Sequence, residues 1–171
     1  MTCRILAPDL AQIPHELQAV PQWVLWHGTV TTTASGVEKI TKVPMTVRSH
    51  HAKSTDSRTW TTYAQALQAL PLALQAWQAA ADATPAQLPR YLGGGIGFVF
   101  TTADPYVGID LDHARDPDTG TLAPWARALL DQLATYTEVS ISGTGLHAIC
   151  RGVWPPGRNQ KGDIQIYHTA R

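Results

Sequence analysis

Gly108-Ile-Asp-Leu-Asp112 is the stretch on which the fold of this 171-residue chain depends. Side chains alternate between the two faces of an extended strand, so Asp110 and Asp112 share one face and the two apolar residues share the other. Neighbouring carboxylates repel each other, and a hard divalent cation relieves this repulsion because carboxylate oxygens suit Mg²⁺ or Mn²⁺. The stretch therefore predicts either a metal site at the rim of a buried sheet or an exposed strand end beside a turn.

A second stretch, Ser140-Ile-Ser-Gly-Thr-Gly-Leu-His147, places hydroxyl groups and two glycines between strand-like segments. Glycines let backbone N–H groups approach an anion closely, and such loops bind phosphate. A plain hairpin turn is the alternative interpretation. His147 follows this turn, and a structural hydrogen bond is its ordinary role; beside a phosphate loop and two aspartates, we interpret it as a donor to a triphosphate oxygen.

The composition fits a folded protein of one domain or of two small lobes that share a core. Apolar residues make up 44% of the chain and charged residues 15%, which argues against disorder. The formal net charge of zero does not favour a nucleic-acid partner. However, five Lys or Arg occur within residues 39–58 and seven Asp or Glu within residues 104–138. This asymmetry fits a cation site beside an anion-binding surface, or merely a solvated surface.

Apolar alternation in the first half predicts a strand over residues 22–27 with two core tryptophans. A second strand over residues 39–45 is expected to pair with the first as a hairpin. Thr59 is expected to cap the following helix, whose apolar stripe comprises Tyr63, Ala66, Leu67 and Leu70. Pro71 is expected to interrupt this helix, which resumes through Ala81 before an exposed connection over residues 83–90.

The second half predicts a turn over residues 116–120 and a helix over residues 124–133. The strands predicted around this helix are residues 93–100, 106–112, 136–142, 146–151 and 163–167. This order predicts an α+β lobe with a mostly antiparallel sheet. The two cysteines, Cys3 and Cys150, indicate neither a disulfide framework nor a zinc site, and Cys150 is interpreted as a small buried residue. The sequence has no signal peptide and no apolar run that could span a bilayer, so we expect a cytoplasmic location.

The motifs taken together resemble a known family. In order, they are Ile13-Pro-His-Glu-Leu17, Gln22-Trp-Val-Leu-Trp26, Lys42-Val-Pro44, Ser54-Thr-Asp-Ser-Arg-Thr-Trp60, Gly95-Ile-Gly-Phe98, Gly108-Ile-Asp-Leu-Asp112, Tyr136-Thr-Glu-Val-Ser140 with the turn through His147, and Ile166-Tyr167. This series is similar to the N-terminal primase–polymerase (prim-pol) domain of phage and plasmid replication proteins, within the archaeo-eukaryotic primase superfamily. The resemblance covers nearly the whole chain, and the Asp-x-Asp and Ser-x-Ser-Gly-x-Gly-x-His motifs are far more specific together than either is alone.

The resemblance implies an α+β fold in which an RRM-like antiparallel-sheet catalytic lobe, about residues 91–171, packs on a smaller α/β lobe, about residues 1–90. It implies nucleotidyl transfer from a dNTP or NTP to a primer 3′-hydroxyl, or to a first nucleotide, on a single-stranded DNA template. Asp110 and Asp112 would hold Mg²⁺ or Mn²⁺ in a two-metal arrangement. The incoming nucleotide's phosphates would contact Ser140, Ser142, Gly143, Thr144, Gly145 and His147.

The chain departs from this family at one catalytic position. Where such domains carry a third acid in an Ile-Glu-Ile-Tyr run, this chain has Gln165. A neutral amide oxygen binds a cation more weakly than a carboxylate. Three interpretations stay open: the substitution, natural or engineered, inactivates the enzyme; Asp163 on the same strand face partly replaces the acid; or the third acid lies elsewhere, with Glu138 a weaker candidate.

Other basic and aromatic residues suit contacts with nucleic acid or phosphate. Lys42, Arg48, Lys53 and Arg58 could contact the template backbone or a triphosphate, and Trp60 either stacks on a base or anchors the start of a helix. Arg158 and Lys161 flank the last strand and are further candidate phosphate donors. The chain stops at Arg171, where members of the family continue, so we expect a truncated domain with a helicase domain or replication partner beyond it.

The sequence thus supports three hypotheses. The first is a metal-dependent primase–polymerase core. The second is a nucleotide- and single-strand-binding module whose catalysis is weakened or lost through Gln165. The third is a metal-dependent nuclease or phosphodiesterase with a similar sheet. Template-directed incorporation, its restoration by Gln165→Glu, and oligonucleotide cleavage without dNTP distinguish these hypotheses.

Overall fold

The structure, a computed structural model, describes residues 9–32, 36, 38–83, 90–155 and 157–169. The chain divides into two compact units, Met1–Val99 and Phe100–Arg171. The interpretations given to Cys3, to most of the connection over residues 83–90 and to the chain end at Arg171 lie outside the described residues.

The first unit is built on a three-stranded antiparallel sheet with β1 in the middle, in the order β2-β1-β3. Its elements are α1 (His15–Gln18), β1 (Trp23–Thr32), β2 (Glu38–Met45), α2 (Tyr63–Ala83) and β3 (Arg90–Phe98), with 3₁₀ turns at Leu10–Gln12 and Ser57–Thr59. The predicted hairpin is confirmed, because β1 and β2 pair from Leu25 opposite Met45 to Thr32 opposite Glu38.

The two tryptophans of β1 form the core of this unit, as predicted. Trp23 is 3% exposed and packs edge-on against the rings of Tyr63 and Phe98, at centroid distances of 5.0 and 5.4 Å. Trp26 points to the opposite face, where its indole N–H donates to the Ile96 carbonyl at 3.0 Å. Edge-to-face contacts and a satisfied indole N–H let these large rings be buried without a polar penalty.

The long helix α2 differs from its predicted form at two points. It begins at Tyr63, because Thr62 and Gln65 form a capping box, whereas the Thr59 hydroxyl bonds within the preceding turn. The helix also continues through Pro71, which lies on the exposed side while Leu70 and Ala73 are buried on the other side. Burial on that side holds the helix together across one missing hydrogen bond. Among the described residues, no helix combines the length and the hydropathy needed to cross a bilayer.

The second unit contains a five-stranded antiparallel sheet in the order β5-β6-β4-β8-β7. Its elements are β4 (Tyr106–Leu111), α3 (Pro124–Leu133), β5 (Tyr136–Val139), β6 (Leu146–Arg151), β7 (Gln160–Lys161) and β8 (Ile164–Tyr167). The core lies between one face of the sheet and α3, and its buried members are Ile109, Leu111, Ala114, Ala126, Leu146 and Ala148. Burial of this face leaves the alternate residues of each strand on the other face.

The mixed α+β class and the antiparallel sheets are confirmed, whereas the RRM-like arrangement stays a prediction. β3 pairs with β1 and so belongs to the first unit, which ends at Val99; the lobes predicted at about residues 1–90 and 91–171 stay a prediction. The two strands approach closely: a Cβ on Gly94 would lie 2.5 Å from the Trp26 carbonyl oxygen, and one on Gly95 would lie 2.9 Å from the Trp26 ring. The glycines of β3 thus allow the close approach that this pairing requires.

His27 makes the stability of the first unit depend on pH. Burial beside Trp77 and Tyr91, and secondarily the nearby His51, lower the pKa of His27 below 6.5. The neutral imidazole is therefore favoured on folding, so this stabilisation is complete above pH 6.5 and is lost as the pH falls through the lowered pKa.

We expect His27→Gln to reduce the loss of unfolding free energy between about pH 8 and about pH 5 in urea titrations. The exposed His50→Gln variant is the control, and an unchanged pH dependence in His27→Gln would contradict this expectation.

Candidate functional site

Polar residues from four neighbouring strands form a row across the second unit's sheet. In the pairing register, Asp110 of β4 lies opposite His147 of β6 on one side and Gln165 of β8 on the other. Glu138 of β5 lies opposite His147. Directly paired residues share a face of the sheet, so this row lies on the face opposite the α3 core. The row joins three predicted site residues with Glu138, which the sequence analysis named only as a weaker candidate for the third acid.

His147 lies between two carboxylates. Its Nδ1 is 3.1 Å from Glu138 Oε1, and its Nε2 is 3.5 Å from Asp110 Oδ1. The Tyr136 hydroxyl donates to the other Glu138 oxygen at 3.0 Å. The side chains of His147 and Asp110 are 27% and 25% exposed, so both remain accessible to a ligand. Sequence reasoning considered Glu138 only as a third acid, because its pairing with His147 depends on the β5–β6 register.

A second row begins one step along the same face, beyond the end of β4. The Asp112 N–H donates to the Asp163 carbonyl at 2.8 Å, which continues the β4–β8 pairing and places the two residues side by side. The Asp163 carboxylate lies 3.2 Å from His113 Nδ1. In the first row, the Tyr167 hydroxyl donates to Gln165 Oε1. Gln165, at the family's third-acid position, and Asp163, its predicted substitute, therefore flank the two aspartates but already have partners. Glu138, the weaker predicted candidate, is separated from Asp110 by His147.

The fit of this face to a divalent cation follows from its donors. Asp110 and Asp112 supply carboxylates, and Gln165 and Asp163 supply further oxygens from the adjoining strand, which are the atoms that Mg²⁺ and Mn²⁺ prefer. In the part of the chain that the structure describes, no group of three His, Cys, Asp or Glu side chains has metal-binding geometry. The chemistry thus fits, and side-chain rearrangement would be needed to complete a ligand set.

The glycine-rich turn between β5 and β6 is closed by its own hydrogen bonds. Ser140 N–H donates to the Gly145 carbonyl, and Gly143 N–H to the Ser140 carbonyl, both at 2.9 Å. The hydroxyl oxygens of Ser140, Ser142 and Thr144 form a chain with successive distances of 2.9 Å. Ser142 is exposed, so this hydroxyl cluster is accessible from solvent.

Arg115 is a residue of this site that sequence reasoning missed. Its Nη1 donates to the Gly143 carbonyl at 2.8 Å, and its backbone N–H donates to the Thr144 carbonyl at 2.9 Å. Arg115 lies just past the Asp-x-Asp stretch, and the sequence carries no local signal that its side chain reaches a turn nearly thirty residues away. Only the folded arrangement of β4 beside β6 brings the two segments together.

The structure does not bring every predicted residue to this face. Lys161 pairs with Ile164, whose neighbour Leu111 belongs to the buried core, so Lys161 lies on the α3 side of the sheet. The Arg158 guanidinium donates to the Gln160 carbonyl at 2.6 Å, within its own hairpin.

The predicted DNA-binding residues belong to the first unit. Lys42 Nζ lies 5.6 Å from the Trp26 ring centroid, and Arg48 and Lys53 are exposed. Trp60 packs beside the Val24 core, and its indole N–H donates to the Lys53 carbonyl at 2.8 Å. It also forms part of the wall of a cavity of about 450 Å³. The anchoring role of Trp60 is therefore observed, and base stacking stays a prediction.

The chain is similar to a phage protein over most of its length. A DNA primase-polymerase of Nitratiruptor phage NrS-1 is 35% identical to it over 162 residues, which cover 91% of this chain. The predicted resemblance to prim-pol domains is confirmed. The chain spans 19% of the length of that relative. No protein-family model matches the chain.

The close packing of Gly145 gives a test of how the turn is held. A Cβ there would lie 2.9 Å from the Leu111 carbonyl oxygen and 3.1 Å from Ser140 Oγ. Because the carbonyl belongs to the sheet backbone and cannot move aside, we expect Gly145→Ala to lower the free energy of unfolding by about 1–3 kcal/mol. Gly152→Ala, where no atom lies within 4 Å, is the matched control and should change it by less than about 0.5 kcal/mol. Equal effects in urea unfolding would show that the turn is not tightly packed.

Proposed function

We propose that the chain is the nucleotidyl-transfer core of a metal-dependent primase–polymerase. It would join dNTPs to a primer 3′-hydroxyl, or to an initiating nucleotide, on a single-stranded DNA template. The observation that carries this proposal is the position of Asp110, directly between His147 and Gln165 on one accessible sheet face. The similarity to a protein named DNA primase-polymerase supports the same assignment.

Asp110 and Asp112 are the proposed metal ligands, with Gln165 or Asp163 as a third. Bound Mg²⁺ or Mn²⁺ would lower the pKa of the attacking hydroxyl and neutralise charge on the leaving pyrophosphate. The chain's own contribution is to hold these carboxylates together. Ile109 and Leu111 are buried in the core on the opposite face and hold β4 in place. The backbone hydrogen bond from Asp112 to Asp163 fixes the segment just after β4.

His147 and the hydroxyl cluster are the proposed triphosphate contacts. His147 can donate a hydrogen bond to a phosphate oxygen from the nitrogen that faces Asp110, because Glu138 holds the other nitrogen. The Ser142 hydroxyl, exposed in the turn that precedes β6, is a further proposed donor. Positioned donors of this kind stabilise charge that develops on phosphate during transfer.

The basic residues of the first unit are the proposed template contacts. Lys42, Arg48 and Lys53 would neutralise backbone phosphates, and the exposed part of Trp60 would stack on a base. Lys53 is not among the proposed nucleotide contacts, so substituting it should weaken template binding in a salt-dependent way without changing nucleotide binding.

Asp110→Asn tests the proposal directly. The substitution keeps the shape of the side chain and removes its charge, so we expect template-directed dNTP incorporation in Mg²⁺ or Mn²⁺ to fall by about 100-fold or more. Asp131→Asn, an exposed acid on α3, is the matched control and should retain full activity. Unchanged incorporation in Asp110→Asn would refute the assignment, and metal-dependent cleavage of an oligonucleotide without dNTP would favour a nuclease.

A second candidate function is a nucleotide- and DNA-binding module with weakened catalysis. The observation that favours it is Gln165, a neutral side chain directly opposite Asp110 whose amide oxygen already accepts the Tyr167 hydroxyl. A cation at Asp110 would therefore have one less charged ligand, and its affinity would fall. Binding of dNTP would persist, since His147 and the hydroxyl cluster lie on the other side of Asp110.

Gln165→Glu separates the two candidates. Restoring the carboxylate should raise incorporation by about tenfold or more, and should lower the Mn²⁺ concentration needed for half-maximal activity. Gln160→Glu, which adds the same charge on the neighbouring strand β7, is the control. An active wild type that gains nothing from Gln165→Glu would argue that this position holds no metal ligand and that Asp163 serves instead.

A further inference from the structure

Arg115 is attached to the glycine-rich turn at two consecutive peptide groups. Its guanidinium Nη1 donates to the Gly143 carbonyl at 2.8 Å, and its backbone N–H donates to the Thr144 carbonyl at 2.9 Å. Both carbonyl oxygens therefore point towards Arg115. Gly143 is buried and Arg115 is partly buried, so the charge-assisted contact is shielded from water.

The N–H groups of the same two peptide units point the other way, because C=O and N–H are antiparallel across a trans peptide bond. Thr144 N–H is directed to Ser142 Oγ at 3.4 Å, and Gly145 N–H donates to Ser140 Oγ at 3.0 Å. The turn is thus polarised. Its carbonyl oxygens face Arg115, and its N–H groups face the hydroxyl cluster.

This polarity is not guaranteed by the backbone alone. Gly143 has a φ of +77°, a conformation that glycine adopts freely, and a glycine beside a peptide group lowers the cost of rotating that group. A rotated Gly143–Thr144 peptide would turn a carbonyl oxygen towards the hydroxyl cluster. A carbonyl in that position would repel a phosphate, whereas an N–H attracts one.

We propose that Arg115 is a positioning residue for the nucleotide's phosphates. By holding the Gly143 carbonyl, it keeps the Thr144 and Gly145 N–H groups directed at the Ser142 and Ser140 oxygens, and this holds the exposed Ser142 hydroxyl where a polyphosphate would bind. It acts on the ligand through the turn and does not need to contact it. This inference rests on the proposed function, since it assigns the turn to phosphate.

The placement of Arg115 supports a specific role. Its backbone is fixed by an isolated bridge to Leu122 and by the neighbouring turn, in which the Asp116 carboxylate accepts from two N–H groups at 2.9 Å. The guanidinium runs close to Gly120, where a Cβ would lie 3.0 Å from Nη2. The fixed backbone and the close contact with Gly120 restrict the Arg115 side chain to few rotamers. Little side-chain conformational entropy is therefore lost when its guanidinium bonds to the turn.

Arg115→Met is the main test, since methionine keeps a long apolar stem and removes the donors. In primer extension we expect the KM for dNTP to rise about tenfold, while kcat at saturating dNTP stays unchanged. A tenfold loss of affinity corresponds to the free energy of about one charge-assisted hydrogen bond. Arg115→Lys should recover part of the loss. Arg127→Met removes the same charge from the exposed side of α3 and should leave both constants unaltered.

A binding measurement on the intact chain gives a second readout. Inorganic tripolyphosphate should shift the amide ¹H–¹⁵N resonances of Thr144 and Gly145 in the wild type, and about tenfold more of it should be needed in Arg115→Met. The wild-type titration tests whether the turn binds polyphosphate even if Arg115→Met does not fold.

The outcomes separate the inference from the proposed function. A wild type that binds tripolyphosphate at these amides but extends no primer would refute the polymerase proposal and leave the inference supported. Equal KM and equal tripolyphosphate affinity in wild type and Arg115→Met would overturn the inference alone, as would a loss confined to kcat. Wild-type amides that do not respond to tripolyphosphate would overturn it as well.

Discussion

The antiparallel pairing of β4 with two neighbours is the constraint on which the second unit depends. Ile109 and Leu111 are buried against α3, and this burial fixes which face of β4 turns outward. A slip of one residue would bury Asp110 and expose two core side chains, so the register is strongly specified. His147 and Gln165 reach Asp110 only through this register. Hydrophobic burial on one face thus assembles the polar row on the other.

The sequence predicts local structure well where apolar alternation is strong, and less well where distant segments compete. The helix over residues 124–133 and the β1–β2 hairpin have the predicted form because their signals are local. The sheet partner of β3 depends instead on the fit of Gly94 and Gly95 beneath tryptophan rings, which no local pattern encodes. Likewise, the predicted cap Thr59 bonds within the preceding turn, and the helix begins instead at the capping box of Thr62 with Gln65.

In the candidate site, too, some features follow from local sequence and others depend on the pairing of distant segments. Two aspartates on one face, a glycine-rich turn and the histidine after it follow from strand geometry and turn chemistry. The partners that orient these groups do not, because Glu138 and Arg115 act across strand pairs. Lys161 is the converse case, in which a local signal is present but the sheet places the residue elsewhere. Its charge and its place beside the last strand favour a phosphate contact, but pairing with Ile164 puts it on the other face.

The β7 edge of the five-stranded sheet is poorly suited to pairing with another molecule. Within the described residues, that edge strand is two residues long, carries Lys161 and ends at Gly162 with a φ of +57°. Such an edge offers an incoming extended chain very few free N–H and C=O groups and a charge to desolvate. Edge-to-edge pairing between molecules is therefore disfavoured at this edge of the sheet.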